Sequence, residues 1–231
     1  MANLPEPIIE EHNGVMVVRD DMLPGGTKRR AIASILDPEH TEYIYPSPVF
    51  GFAQVALAYA AQDHGVRATI FCARRGRWAP LTQRAAEAGA AIHEVEPGYL
   101  NVVRARARAH CAESPSRLLL PFGFNDQRFI NALADVARAL PIVPKEVWSV
   151  AGSGVLTRSL QLAWPEARFF AIRIGSMPDA GRARVYEAPE RYEEDAWEPP
   201  PFPSCGNYDA KAWRYVMAHA VPGALFWNVA A

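Results

Sequence analysis

Gly25-Gly26-Thr27-Lys28-Arg29-Arg30 follows Arg19-Asp20-Asp21-Met22-Leu23-Pro24 and sets one amine just past a pair of glycines. Glycines let the backbone turn tightly and approach a ligand closely. Lys28 to Leu36 then reads as the opening of a helix. A lysine where such a turn becomes a helix is placed to be desolvated, and a desolvated amine is a nucleophile and a base. A cationic turn on a solvated surface is the competing reading. A second stretch, Ala151-Gly152-Ser153-Gly154-Val155-Leu156-Thr157, follows an apolar run and opens another helix. Glycines and hydroxyls at a helix N-terminus present unpaired N–H groups to an anion, which suits a phosphate. The stretch lacks a P-loop lysine, and Gly152-Ser153-Gly154 does not complete the dinucleotide fingerprint. A helix cap with no ligand is the simpler alternative. Two more loops carry unusual residues: Ser47-Pro48-Val49-Phe50-Gly51-Phe52-Ala53 and Pro203-Ser204-Cys205-Gly206-Asn207-Tyr208.

The elements that must position these loops alternate along the chain. Strands are expected at 15–18, 43–45, 68–72, 91–95, 117–120, 146–150 and 168–174. Helical patterns are expected at 51–62, 81–88, 101–112, 130–140 and 156–163. Gly89 supplies a favoured helix stop after Ala88. Strands alternating with helices of this length imply parallel βαβ units, in which ligands sit at the carboxyl ends of the strands. There are no internal repeats. Residues 176–203, rich in proline and charge, read as a long loop or cover.

Composition sets the outer bounds. The 231 residues are half hydrophobic with a formal net charge of −1, enough for a sizeable core and too balanced for a dominant nucleic-acid-binding surface. Cys72, Cys111 and Cys205 are widely spaced, which favours reduced thiols in a cytoplasm. Met1-Ala2-Asn3-Leu4-Pro5 lacks the basic-then-apolar pattern of a signal peptide, and no apolar run approaches the roughly 20 residues of a membrane-spanning helix. His64, His93, His110 and His219 have no ligand-like spacing, so no metal is expected. The expectation is a cytoplasmic protein with no membrane partner.

Taken in order, the lysine turn, the glycine-rich loop and the late serine resemble the fold-type II pyridoxal-phosphate enzymes, relatives of tryptophan synthase β, cysteine synthase, threonine synthase and aminocyclopropane-carboxylate deaminase. The segment from Arg19 to Arg30 looks like the lysine segment of the deaminase branch, which implies that Lys28 forms the Schiff base with pyridoxal 5'-phosphate. Gly152-Ser153-Gly154-Val155-Leu156-Thr157 is similar to the phosphate cup of the family. Phe202-Pro203-Ser204-Cys205-Gly206-Asn207-Tyr208 resembles the segment whose serine bonds the pyridine nitrogen, which assigns that role to Ser204. Pro121-Phe122-Gly123-Phe124-Asn125 looks like the loop bordering the substrate. The resemblance spans nearly the whole chain. It implies an α/β fold, the three-layer α/β/α tryptophan synthase β-like architecture with parallel-rich sheets, in compact form. Residues 1–45 and 122–231 would make the large cofactor-binding domain, and 46–121 a smaller inserted α/β domain. A homodimer is the usual assembly of such relatives.

The departures carry information too. The loop that usually reads serine-glycine-asparagine, and holds substrate carboxylate and cofactor, here reads Ser47-Pro48-Val49-Phe50-Gly51. Val49 stands where the asparagine would be, and Pro48 removes a backbone donor. Ser47 and Gly51 keep cofactor-binding positions, while Val49, Phe50, Phe122, Gly123 and Phe124 would border the substrate in an apolar site. For each phenylalanine taken alone, core packing is the plainer reading. An apolar site facing a carboxylate favours losing it as carbon dioxide, so the expected activity is that of a pyridoxal-phosphate lyase, decarboxylating or eliminating from an amino-acid-like substrate. Arg74-Arg75-Gly76-Arg77-Trp78 and the helical Arg104, Arg106 and Arg108 could hold phosphates and stack a base. The resemblance reaches bacteriophage relatives that process amino-acid groups on thymine, which implies an amino-acid-modified nucleotide in DNA as a candidate substrate. A solvated arginine face is the plainer reading. Two other classes compete with the enzyme: a degenerate protein that keeps the cofactor without catalysis, and a phosphate-ligand binding module in which Lys28 is a surface amine.

Overall fold

A computed structural model describes residues 4–231; Met1 to Asn3, on which part of the signal-peptide reading rests, lie outside the described residues. Two sheets organise the chain. The larger has six strands in the order β1-β2-β10-β7-β8-β9, comprising β1 (Ile9–His12), β2 (Val15–Arg19), β7 (Glu146–Ala151), β8 (Arg168–Arg173), β9 (Arg184–Glu187) and β10 (Leu225–Asn228). All of its pairings are parallel except the β1–β2 hairpin. The smaller has order β5-β4-β3-β6 and is wholly parallel: β3 (Glu42–Pro46), β4 (Arg67–Ala73), β5 (Ala91–Val95) and β6 (Arg117–Leu119). The small sheet therefore takes in β3, a few residues before the expected division at 45/46.

Parallel strands bury both faces, and the period of two shows how. Val18, Val147, Leu225 and Trp227 point into a core shared with α1 (Gly26–Ala31), α2 (Ala53–His64), α5 (Gln127–Arg138) and α6 (Val155–Ala163). Their neighbours Val17, Trp148, Val150 and Phe226 point the other way, under Phe202 and α7 (Trp213–His219). On the small sheet, Ile44 and Phe71 pack on Val103 and Ala107 of α4 (Leu100–Ala112), and α3 (Pro80–Glu87) lies beside α2. This is the expected three-layer α/β/α arrangement. No helix among the described residues is long and apolar enough to cross a membrane.

Three details depart from the sequence reading. The helix after the glycine turn ends at Ala31 and tightens into a 3-10 turn over Ile32–Ile35 instead of running to Leu36. The span 176–203 is not all loop, because it contributes β9 at a sheet edge. Strands β1 and β10 and helix α7 had no expected counterpart. Edge strands such as Ile9-Glu10-Glu11-His12 are short and polar, which blunts edge-to-edge pairing and also erases their alternation.

One buried acid ties the small sheet together. Burial alone would raise the Glu42 carboxyl, but hydrogen bonds donated by Thr69 Oγ1 (2.6 Å), His110 and Arg117 (2.9 Å) outweigh that and hold it at about 2. A depressed carboxyl contributes stability above its ordinary range and loses it as pH falls through the folded value. Stability therefore drops between about pH 4.5 and about pH 2, and Glu42→Gln flattens this acid limb in urea titrations run at successive pH values.

Candidate active site

The site is built from the carboxyl ends of strands in both sheets. The Lys28 turn follows β2, Pro48 and residues 50–53 follow β3, Phe122 and Gly123 follow β6, Gly152 and Ser153 follow β7, Ile174–Ser176 follow β8, and Val229 and Ala230 follow β10. Together with Tyr45, Leu100, Tyr192, Cys205, Tyr208 and Asp209 they enclose a cavity of about 280 Å³. This is where open parallel sheets place ligands.

Local chemistry fixes the lysine turn. Gly25 and Gly26 adopt φ of 90° and 64°, and a Cβ on Gly26 would lie 2.4 Å from the Val229 carbonyl oxygen. Asp20, wholly buried, accepts hydrogen bonds from Arg30 Nε (2.7 Å), Thr27 Oγ1 (2.8 Å) and Trp227 Nε1 (3.1 Å). Asp21 takes both arms of Arg19 at 2.8 Å. The Thr27 N–H donates to Val229 O at 3.1 Å, so α1 starts locked onto the end of β10. Removing one partner of a buried charge pair costs about 3–5 kcal/mol. Asp20→Ala is expected to lose that much, measured by chemical denaturation.

Lys28 and Asp209 are the two charged side chains lining the cavity. Burial lowers the Lys28 amine, and Asp209 partly restores it. Asp209 is fully buried at the head of a 3-10 turn (Asp209–Ala212), and burial pushes its carboxyl well above the ordinary range. Neither of its oxygens makes a hydrogen bond of normal geometry; the Lys28 amine and the nearby N–H groups of Val229 and Ala230 pull it partly back. Burial also raises the Cys205 thiol to about 12, the Tyr45 hydroxyl to about 12, and the Tyr208 hydroxyl further still. At neutral pH these three remain protonated donors, not nucleophiles.

The glycine-rich loop opens α6 with no side-chain cap. Gly154 has φ of 80°, and a Cβ there would lie 1.9 Å from Asp179 O, so no other residue fits. As at any helix start, the first backbone N–H groups of α6 have no intrahelical partner. The Tyr208 hydroxyl accepts from Gly152 N–H at 2.9 Å, and Tyr45 accepts from Gly123 N–H at 3.2 Å.

Of the residues expected in the site, Lys28, Phe50, Gly51, Phe122, Gly123, Gly152 and Ser153 line the cavity. The others sit elsewhere. Val49 lines a separate small pocket with Arg75 and Trp78. Phe124 is wholly buried against Tyr45 and Phe129. Ser47 turns its hydroxyl onto Pro48 O at 2.9 Å. Gly154 faces the backbone of Asp179. Val155 and Leu156 bury their side chains in the helical core, and Thr157 Oγ1 pairs with Ser149 Oγ at 2.9 Å. Ser204 is away from the cavity wall, its hydroxyl donated to Asn228 Oδ1 at 2.7 Å. Asp209 was missed. The signal for it is its place beside Tyr208, one residue beyond the segment Phe202–Tyr208.

The fold matches known enzymes. The chain superposes on an ACC deaminase homologue with a TM-score of 0.83 at 14% identity, covering 98% of this chain and 90% of that one. Escherichia coli diaminopropionate ammonia lyase gives 0.69 at 15% identity, covering 100% and 84%. A hydrogen sulfide-producing enzyme from Fusobacterium nucleatum gives 0.71 at 13% identity, covering 99% and 93%. No protein-family model and no curated protein sequence matches the chain. At these identities the likeness defines the fold, the tryptophan synthase β-like, fold-type II α/β architecture.

Proposed function

We propose that this chain is a pyridoxal 5'-phosphate-dependent lyase that removes a carboxylate from the α-carbon of an amino-acid-like substrate. The observation that carries the reading is an apolar cavity whose charged lining residues are one amine and one orphaned carboxylate, Lys28 and Asp209. Those groups fit the cofactor. Lys28 would hold it through its amine, the N–H groups of the 153–157 loop would take its phosphate, and the buried Asp209 would face its ring nitrogen. The last role replaces the one expected of Ser204. When bound, the cofactor supplies an electron sink for charge developing at the α-carbon, and an acid at the ring nitrogen strengthens that sink more than a neutral hydroxyl does.

The chain's own residues supply the rest. Lys28 is placed to move a proton at the α-carbon, and burial, which lowers its amine, favours the uncharged base over the ammonium. Phe50 and Tyr192, edge to face at 5.4 Å, line the cavity with Phe52 and make that wall apolar. In the loop that would hold a substrate carboxylate, Gly51 N–H and Ser47 Oγ both donate to Pro48 O, and Pro48 has no N–H. A carboxylate there is desolvated and poorly bonded, which raises its energy relative to departing carbon dioxide.

The test incubates the protein, loaded with pyridoxal phosphate, with carboxyl-labelled amino acids and amino-acid-modified nucleosides. Labelled carbon dioxide supports the reading. Ammonia and keto acid in its place mean elimination. Cofactor binding without α-proton exchange means the degenerate binding protein.

A larger substrate is favoured by exposed arginines on the smaller sheet and α4. Arg74, Arg75, Arg77 and Trp78 are exposed beyond β4, Arg106 and Arg108 are exposed on α4, and the Arg104 guanidinium lies 5.4 Å over Phe122 at the cavity mouth. Arginines beside aromatic rings suit phosphates and bases, so an amino-acid-modified thymine in phage DNA is the substrate we assign to this surface. Arg75→Ala with Arg77→Ala is expected to weaken binding of modified DNA in a mobility-shift assay; unchanged binding removes the DNA from the proposal. Association as a cytoplasmic homodimer completes it, and light scattering tests the assembly.

A further inference from the structure

The last strand joins the two halves of the site. At the end of β10, Trp227 Nε1 donates to Thr27 Oγ1 at 2.9 Å, and Val229 O accepts from Thr27 N–H. Ala230 O accepts from Cys205 N–H at 2.8 Å, on the loop that leads to Asp209. Between these backbone contacts sits Asn228, wholly buried and holding both loops through one side chain. Its Nδ2 donates to Asp21 Oδ1 at 2.7 Å, beside the lysine turn, and to Pro203 O at 2.9 Å. Its Oδ1 accepts from Ser204 Oγ at 2.7 Å. An amide is the one small side chain that both donates twice and accepts here.

We propose that Asn228 is a positioning residue that fixes Lys28 against Asp209 by clamping the turn at 20–27 to the segment at 203–209. It rests on the roles given to Lys28 and Asp209 above. Asn228 is held away from the cavity by its own bonds, so it acts through the two loops and does not touch the reacting atoms. Asp21 is pinned in turn by Arg19, which leaves the clamp little slack. Supporting bonds of this kind hold a reactive side chain within a narrow geometry.

A purely structural role and a positioning role separate in the titration of Lys28. Competitive acetylation with acetic anhydride across pH, read by mass spectrometry against the exposed Lys145, gives the Lys28 midpoint without any cofactor. The wild-type midpoint is expected below that of Lys145. In Asn228→Leu, of similar volume and without the three bonds, water reaches the amine and the midpoint rises by about one pH unit. If that variant does not fold, Ser204→Ala, which deletes a single bond, is expected to move the midpoint the same way by less. A folded Asn228→Leu, or in its absence Ser204→Ala, with the wild-type midpoint overturns the clamp, whatever happens to thermal stability. The cofactor reading fails by a different result, the absence of a borohydride-fixed pyridoxyl group on wild-type Lys28, which leaves the acetylation midpoints as they are.

Discussion

Lys28→Ala abolishes turnover, a fall of at least about 10⁴-fold, because it removes both the residue that would hold the cofactor and the base at the α-carbon. It does so without unfolding the chain. The Lys28 amine makes no hydrogen bond or ion pair among the described residues, and burial works against its charge. Deleting an amine that is desolvated and weakly compensated relieves the folded state of that cost. Thermal unfolding of the variant is therefore expected at or above the wild-type midpoint, while product assays show none. Loss of fold together with loss of activity would mean that Lys28 is a structural residue.

The second large effect is at Asp209. Asp209→Asn keeps the shape and removes the charge facing Lys28, and turnover is expected to fall on the order of 10²-fold, the scale of losing one preorganised electrostatic group. Stability moves the other way. A buried acid with its pKa raised well above 3.8 binds more protons folded than unfolded. Its contribution to stability therefore falls as pH rises from about 4 towards the raised value, and the cost is complete above it. The asparagine removes that slope, so denaturant titrations without cofactor are expected to show a more stable variant at neutral pH and equal stabilities in acid. Equal stability throughout would place Asp209 in a hydrated setting that the cavity does not offer.

Much of this was legible beforehand. The strands between Val15 and Arg173 announce themselves by apolar runs ending in turns, and the double glycine before Lys28 marks a close backbone approach that Gly26 makes to Val229. What stayed hidden is tertiary. In the run from Pro203 to Asp209 the sequence offers a serine, a cysteine, a tyrosine and an acid. Which of them meets the cavity is decided by Asn228, which pulls Ser204 aside, and by the 3-10 turn that carries Asp209 inward. Val49 was expected at the substrate, but Gly51 N–H bonding back to Pro48 O makes a turn that leaves Pro48 and Phe50 on the cavity and Val49 on the far side. Strand β10 is four residues long, too short for a period to show, although it supplies both the Trp227 and Asn228 contacts.

The central claim is that Lys28 is the residue that holds pyridoxal phosphate. The direct measurement adds pyridoxal phosphate to the purified protein, records the visible spectrum, reduces with borohydride and maps the pyridoxyl mass by peptide sequencing. A visible band that reduction removes, with the added mass on the peptide containing Lys28 and neither band nor mass in Lys28→Ala, is the predicted result. No band in the wild type, or a label that falls on Lys145 or Lys211 instead, contradicts the account.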